Sequence, residues 1–135
     1  MYSQKASNKY DQLRWKTMSG REVEGEVLLK AALLFRRAQP TLDGKILTKE
    51  AEEALDFNRR IWDVLRRGWS AEDCALPIEV RRNLLNLAVF MYKADMGFRT
   101  SPEASKLNGM IQVNETLAGG LGANASKDAS VSASS

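Results

Sequence analysis

The chain has 135 residues, 44% hydrophobic and 27% charged, which fits one domain long enough to bury most of the surface that its unfolded form exposes. With no histidine and one cysteine, Cys74, it excludes an internal disulfide, a histidine-based triad and a zinc cluster, and no cofactor is expected. No run approaches the roughly 18 apolar residues that span a bilayer, and residues 1–16 hold no apolar segment of the kind that opens a secretory signal, so the sequence predicts a cytoplasmic protein without membrane contact.

The net charge of +3 sits in one place. Residues 1–19 carry Lys5, Lys9, Arg14 and Lys16 against Asp11, whereas residues 20–121 carry 15 basic and 15 acidic side chains. Binding to a nucleic-acid backbone needs several uncompensated cations on one face, and only the short N-terminal arm could supply them. Nucleic acid is therefore a disfavoured partner.

In chain order, residues 1–19 mix Ser, Lys, Gln and Asn with Tyr2, Tyr10 and Trp15 and read as a basic arm with a weak helical turn around Tyr10 to Lys16. From Gly20, Val23, Val27, Ala31, Leu34 and Ala38 recur at helical spacing, with acids at the start and Arg36 and Arg37 at the end, as the helix dipole favours; Pro40 stops this first helix near Gln39. Asp43-Gly44 marks a turn, and Thr48 offers a cap for a second helix. On that helix, positions 51, 54, 55, 58, 61, 62, 65 and 69 share one face on which Asn58 is the one residue that is not apolar. Asp56 is expected to pair with Arg59 and Arg60, and Asp63 with Arg66 and Arg67, which makes a solvated, compensated face.

Gly68 and residues 70–75 are expected to end the second helix, and Leu76-Pro77 to open a third. Val80, Leu84, Leu87, Ala88 and Met91 form its inner face; Phe90 lies with the polar residues, and Leu85, Val89 and Tyr92 fill a further side. A helix apolar around more than half its circumference is central or contacts something outside the domain. Gly97 is read as a break, and Ser101-Pro102-Glu103 as the capped start of a fourth helix whose face holds Leu107, Met110, Ile111, Leu117, Ala118 and Leu121, with Asn114 among them; Gly119-Gly120 end it. Residues 122–135 are too poor in apolar side chains to order themselves.

The predicted architecture is all-α: a compact bundle of about four helices over residues 20–121, flanked by a basic arm (1–19) and a disordered Ala/Ser-rich tail (122–135). No catalytic constellation is visible. There is no glycine-rich phosphate loop or cysteine pair, and Cys74 has no neighbour that would lower its pKa, so the chain reads as an interaction module and not an enzyme. Asn58 is expected to be buried and hydrogen-bonded, to backbone groups near a helix break or to Asn114.

These same residues resemble the FlaF family of bacterial flagellar biosynthesis regulators. The resemblance runs through Arg21-Glu22-Val23-Glu24, Ala54-Leu55, Asn58-Arg59-Arg60-Ile61-Trp62, Leu76-Pro77, Ile111-Gln112-Val113-Asn114 and Gly120-Leu121, in order across residues 20–121. It implies a cytoplasmic regulator of flagellum biogenesis and organization that binds flagellin in a chaperone-like way, supports its synthesis and export, and works beside a FlbT-type regulator. Two positions depart from the family pattern: Cys74 and Glu115 stand where an asparagine and an arginine are common, and the second reverses a charge at an expected partner surface. On this reading Leu85, Val89, Phe90 and Tyr92 supply a groove for a flagellin helix. The competing readings are an RNA-binding regulator of flagellin mRNA and a helical dimerisation module.

Overall fold

The computed structural model describes residues 20–120, with side chains from Gly25. The arm expected over 1–19 and the tail expected over 122–135 lie outside the described residues. Four helices follow one another: α1 (Gly20–Ala38), α2 (Lys49–Ser70), α3 (Ile78–Thr100) and α4 (Asn108–Gly120), with single 3-10 turns at Gln39–Thr41 and Ala104–Leu107. The all-α, four-helix architecture is as the periodicity predicts, and the described residues contain no strand.

α1 contacts both α2 and α4 closely because its inner face sets three small side chains among two large ones: Leu28, Ala31, Ala32, Phe35 and Ala38 are all buried. α2 starts where Thr48 Oγ1 accepts the Ala51 N–H at 3.3 Å, satisfying one of the donors that a helix start leaves open. All eight positions of its predicted stripe are buried, Asn58 included. The turn before it needs Gly44, whose φ of 86° a side chain would strain, and Asp43 Oδ1 fixes that turn by accepting the N–H groups of Lys45 and Ile46.

Three boundaries differ from the sequence reading. α2 continues through Gly68 to Ser70, because Trp69 is buried and meets Trp62 edge-on, with ring centroids 5.9 Å apart. α3 continues through Gly97 to Thr100, held by the fully buried Phe98 and by Arg99, which reaches back one turn to Asp95. Ser101 ends α3, its N–H donating to the Gly97 carbonyl, and does not cap α4; a 3-10 turn carrying the buried Leu107 intervenes before Asn108.

α3 is a flank helix and not the centre. Its buried residues are Ala88, Met91, Asp95 and Phe98, so its N-terminal ten residues contribute none. Val80, expected on the inner face, is 42% exposed, and Leu84 and Leu87 are half-buried. No helix among the described residues is long and apolar enough to cross a membrane.

Candidate functional site

An open groove of about 660 Å³ runs between α2 and α3. Its floor begins with a polar chain in an apolar setting. Asn58 and Trp62, one turn apart on α2, meet Asn114 of α4: Asn114 Nδ2 donates to Asn58 Oδ1 at 2.8 Å, and Trp62 Nε1 donates to Asn114 Oδ1 at 2.8 Å. Asn58 Nδ2 points to Met91 Sδ at 3.8 Å, a weak acceptor. The two asparagines break the apolar stripes of α2 and α4 at one level, where each supplies what the other lacks.

The second feature was not read from the sequence. Asp95 is a buried carboxylate on α3, whose Oδ1 accepts Arg59 Nη2 of α2 at 2.6 Å and Arg99 Nε at 2.7 Å. Its Oδ2 is buried without a hydrogen-bond partner. Arg99 also donates to Asp56 at 3.1 Å. Burial lowers the Arg99 pKa, but its bonds to Asp95 and Asp56 together outweigh that and hold it above its ordinary value. Asp56 therefore pairs across the hairpin with Arg99, and Arg59 with Asp95, instead of the expected pairing of Asp56 with Arg59 and Arg60 along α2. The other expected cluster forms: Asp63 accepts from Arg66 at 2.9 Å and pairs with Arg67 at 3.2 Å, and its pKa is lowered by the bond from Arg66 first, helped by the charges of Arg67 and Arg66.

The four residues expected to form a partner surface divide. Val89 and Tyr92 line the groove and are 52% and 62% exposed. Leu85 is half-buried against the core. Phe90 stands about 100° around the helix from Val89, with its ring beside Gly109 of α4, where an added Cβ would lie 3.2 Å from Cζ. Leu76 and Pro77 lie outside the groove at the start of α3, where Pro77 is the residue that precedes the helix. Arg81 Nη1 donates to the Ala71 carbonyl and fastens the loop between α2 and α3 to that start.

Glu115 is engaged within the fold. Arg36 of α1 donates to both its carboxylate oxygens, at 2.8 and 3.1 Å, so the reversed charge serves to join α1 to α4. The Arg36 guanidinium is raised above its ordinary pKa by that hydrogen bond and by the Glu115 charge. Among the described residues no group of three or more Cys, Asp or Glu side chains comes together to hold a metal.

Comparison with curated proteins and with solved structures gave no match. The family described as flagellar protein FlaF matches residues 6–121, which takes in all four described helices and residues 6–19 before them. The chain belongs to the FlaF family of flagellar proteins.

Proposed function

We propose that this protein binds flagellin in the cytoplasm and, without catalysing a reaction, supports its synthesis, protects it from aggregation and aids its delivery for export, beside a FlbT-type regulator. The observation that carries the reading is the open groove between α2 and α3, floored by Trp62, Ala88 and Met91 and walled by the exposed Val89 and Tyr92. An exposed apolar groove of this kind suits an amphipathic helix laid along it, and unexported flagellin offers such segments at its termini. Of the exposed apolar side chains of α3, Val89 and Tyr92 face this groove, beside the buried Ala88 and Met91 that the helix gives to both groove and core.

The arginines of α2 speak against the mRNA reading. Arg59, Arg66 and Arg67 are each bonded to a carboxylate, so few of them are free for phosphates. Titration of purified flagellin into the protein by calorimetry tests the proposal. Binding with a negative heat-capacity change is expected, as burial of apolar surface demands. Absence of binding at tens of micromolar protein, where a complex of about micromolar Kd would be nearly saturated, would remove the flagellin reading.

A further inference from the structure

We infer that the segment seated between α2 and α3 is an amphipathic helix with carboxylates along both flanks of its apolar stripe. The inference rests on the flagellin reading above and specifies the chemistry that selects the bound segment.

Charge on the groove carries the argument. Its lining holds the cations Arg59, Arg60, Arg66 and Lys93 and the carboxylates Asp63 and Asp95, which leaves two positive charges in excess. Both carboxylates are already spent: Asp63 serves Arg66 and Arg67, and Asp95 serves Arg59 and Arg99. Arg60 on α2 and Lys93 on α3 are exposed and enter no ion pair among the described residues, so each helix presents one uncompensated cation beside an apolar floor. A helix lying between them gains at both edges when its flanks are acidic and is repelled when they are basic.

The dimensions agree with a helix. From Arg59 to Arg66 the α2 wall runs about 10.5 Å at 1.5 Å per residue, the length covered by anchors at i, i+3 or i+4, and i+7 of a docked helix. The other occupants meet the same charge unfavourably. The chain's own residues 1–19 carry Tyr2, Tyr10 and Trp15 but also an excess of three positive charges, and a second copy docking face to face would set Arg60 and Lys93 against their equals.

The test uses the full-length protein and purified monomeric flagellin, with affinity measured at about 50 and about 300 mM ionic strength, where screening lengths differ roughly two-fold. The double variant Arg60→Glu with Lys93→Glu replaces exposed, unpaired side chains, so its melting temperature should match wild type. Its affinity should fall about tenfold or more, and wild-type affinity should fall with salt while that of the variant does not. Tyr92→Ala, also exposed, reports whether the groove is used at all. Loss of binding in Tyr92→Ala with none in the double reversal, and no salt dependence, would overturn the acidic-flank inference and leave the flagellin reading standing. No binding by the wild type would overturn both. Tighter flagellin binding after removal of residues 1–19 would assign the groove to the arm, and a dimer dispersed by Tyr92→Ala would assign it to a second copy; either result overturns the inference.

Discussion

Asn114 donates to Asn58 across 56 positions of chain, at 2.8 Å and with both side chains almost wholly buried. The bond fixes where α4 sits along α2, because a slip of either helix leaves two amides in an apolar setting, each a cost of a few kcal/mol at most sites. Asn58→Ala is predicted to destabilise by about 1–3 kcal/mol, since the Asn114 amide then lacks its acceptor. Asn114→Ala should cost more, because it strands both the Asn58 carbonyl and the Trp62 indole N–H. Urea unfolding of the two single variants and the double variant measures this, and the double should fall short of the sum. Wild-type unfolding of Asn58→Ala together with lost flagellin affinity would instead make Asn58 a contact of the partner.

Gly97 lies inside α3, and a Cβ built there meets nothing within 4 Å. Glycine in a helix interior costs roughly 0.5–1 kcal/mol relative to alanine, through the freedom it retains when unfolded. Gly97→Ala is therefore expected to raise stability by about that amount. Gly109→Ala makes a contrast, because its Cβ would press on the Phe90 ring at 3.2 Å and the propensity gain there is partly offset. Denaturant midpoints rank the two. A Gly97→Ala protein less stable than wild type would mean that the glycine serves a contact outside the described residues.

How much of this was legible differs by helix. α2 was readable because its buried face is a local property: each of the eight positions follows from a 3.6-residue period, and a polar residue on that stripe announces itself. Asn58 and Asn114 stood out for that reason. Asp95 is the same kind of signal, spaced with Ala88, Met91 and Phe98 on one face of α3, but a helix taken to end at Gly97 leaves Phe98 and Arg99 off the stripe and hides it. Its partner Arg59, 36 positions earlier, follows from the crossing of two helices and not from any period. The division of Leu85, Val89, Phe90 and Tyr92 is likewise a matter of packing, since which apolar face meets a neighbour is decided by α2 and α4.

Asp43 gives a prediction about acid. Its pKa is lowered, chiefly by the hydrogen bond from the Lys45 N–H and then by that from Ile46. A carboxylate with a depressed folded pKa contributes stability above its unfolded pKa of about 3.9, and that contribution is lost as pH falls through the lower folded value. Asp43→Asn keeps an acceptor for the turn but removes this proton linkage. Melting temperature followed from neutral pH down to about pH 2 should fall less steeply in the variant than in wild type. Superimposable acid profiles would show that Asp43 is no part of the pH response, leaving Asp63 as the other carboxylate held low.

Asp95 should dominate the polar energetics of the hairpin. Its side chain is 5% exposed, and it accepts bonds from Arg59, which is 50% exposed, and from Arg99, which is 26% exposed. An exposed arginine that loses its partner returns to water at little cost, whereas a buried carboxylate that loses one is left with a charge the interior does not solvate. Arg59→Ala is therefore predicted to cost about 1 kcal/mol or less, because Arg99 still compensates Asp95. Arg99→Ala should cost more, at about 1.5–3 kcal/mol, since the more buried of the two charged hydrogen bonds is lost and Asp56 loses its partner as well. The variant lacking both arginines should cost more than the sum of the singles, because only then is Asp95 uncompensated. Chemical denaturation of the three variants decides the matter: equal effects of the two single changes, or simple additivity in the double, would show that the carboxylate is solvated and that the hairpin is held by its apolar contacts alone.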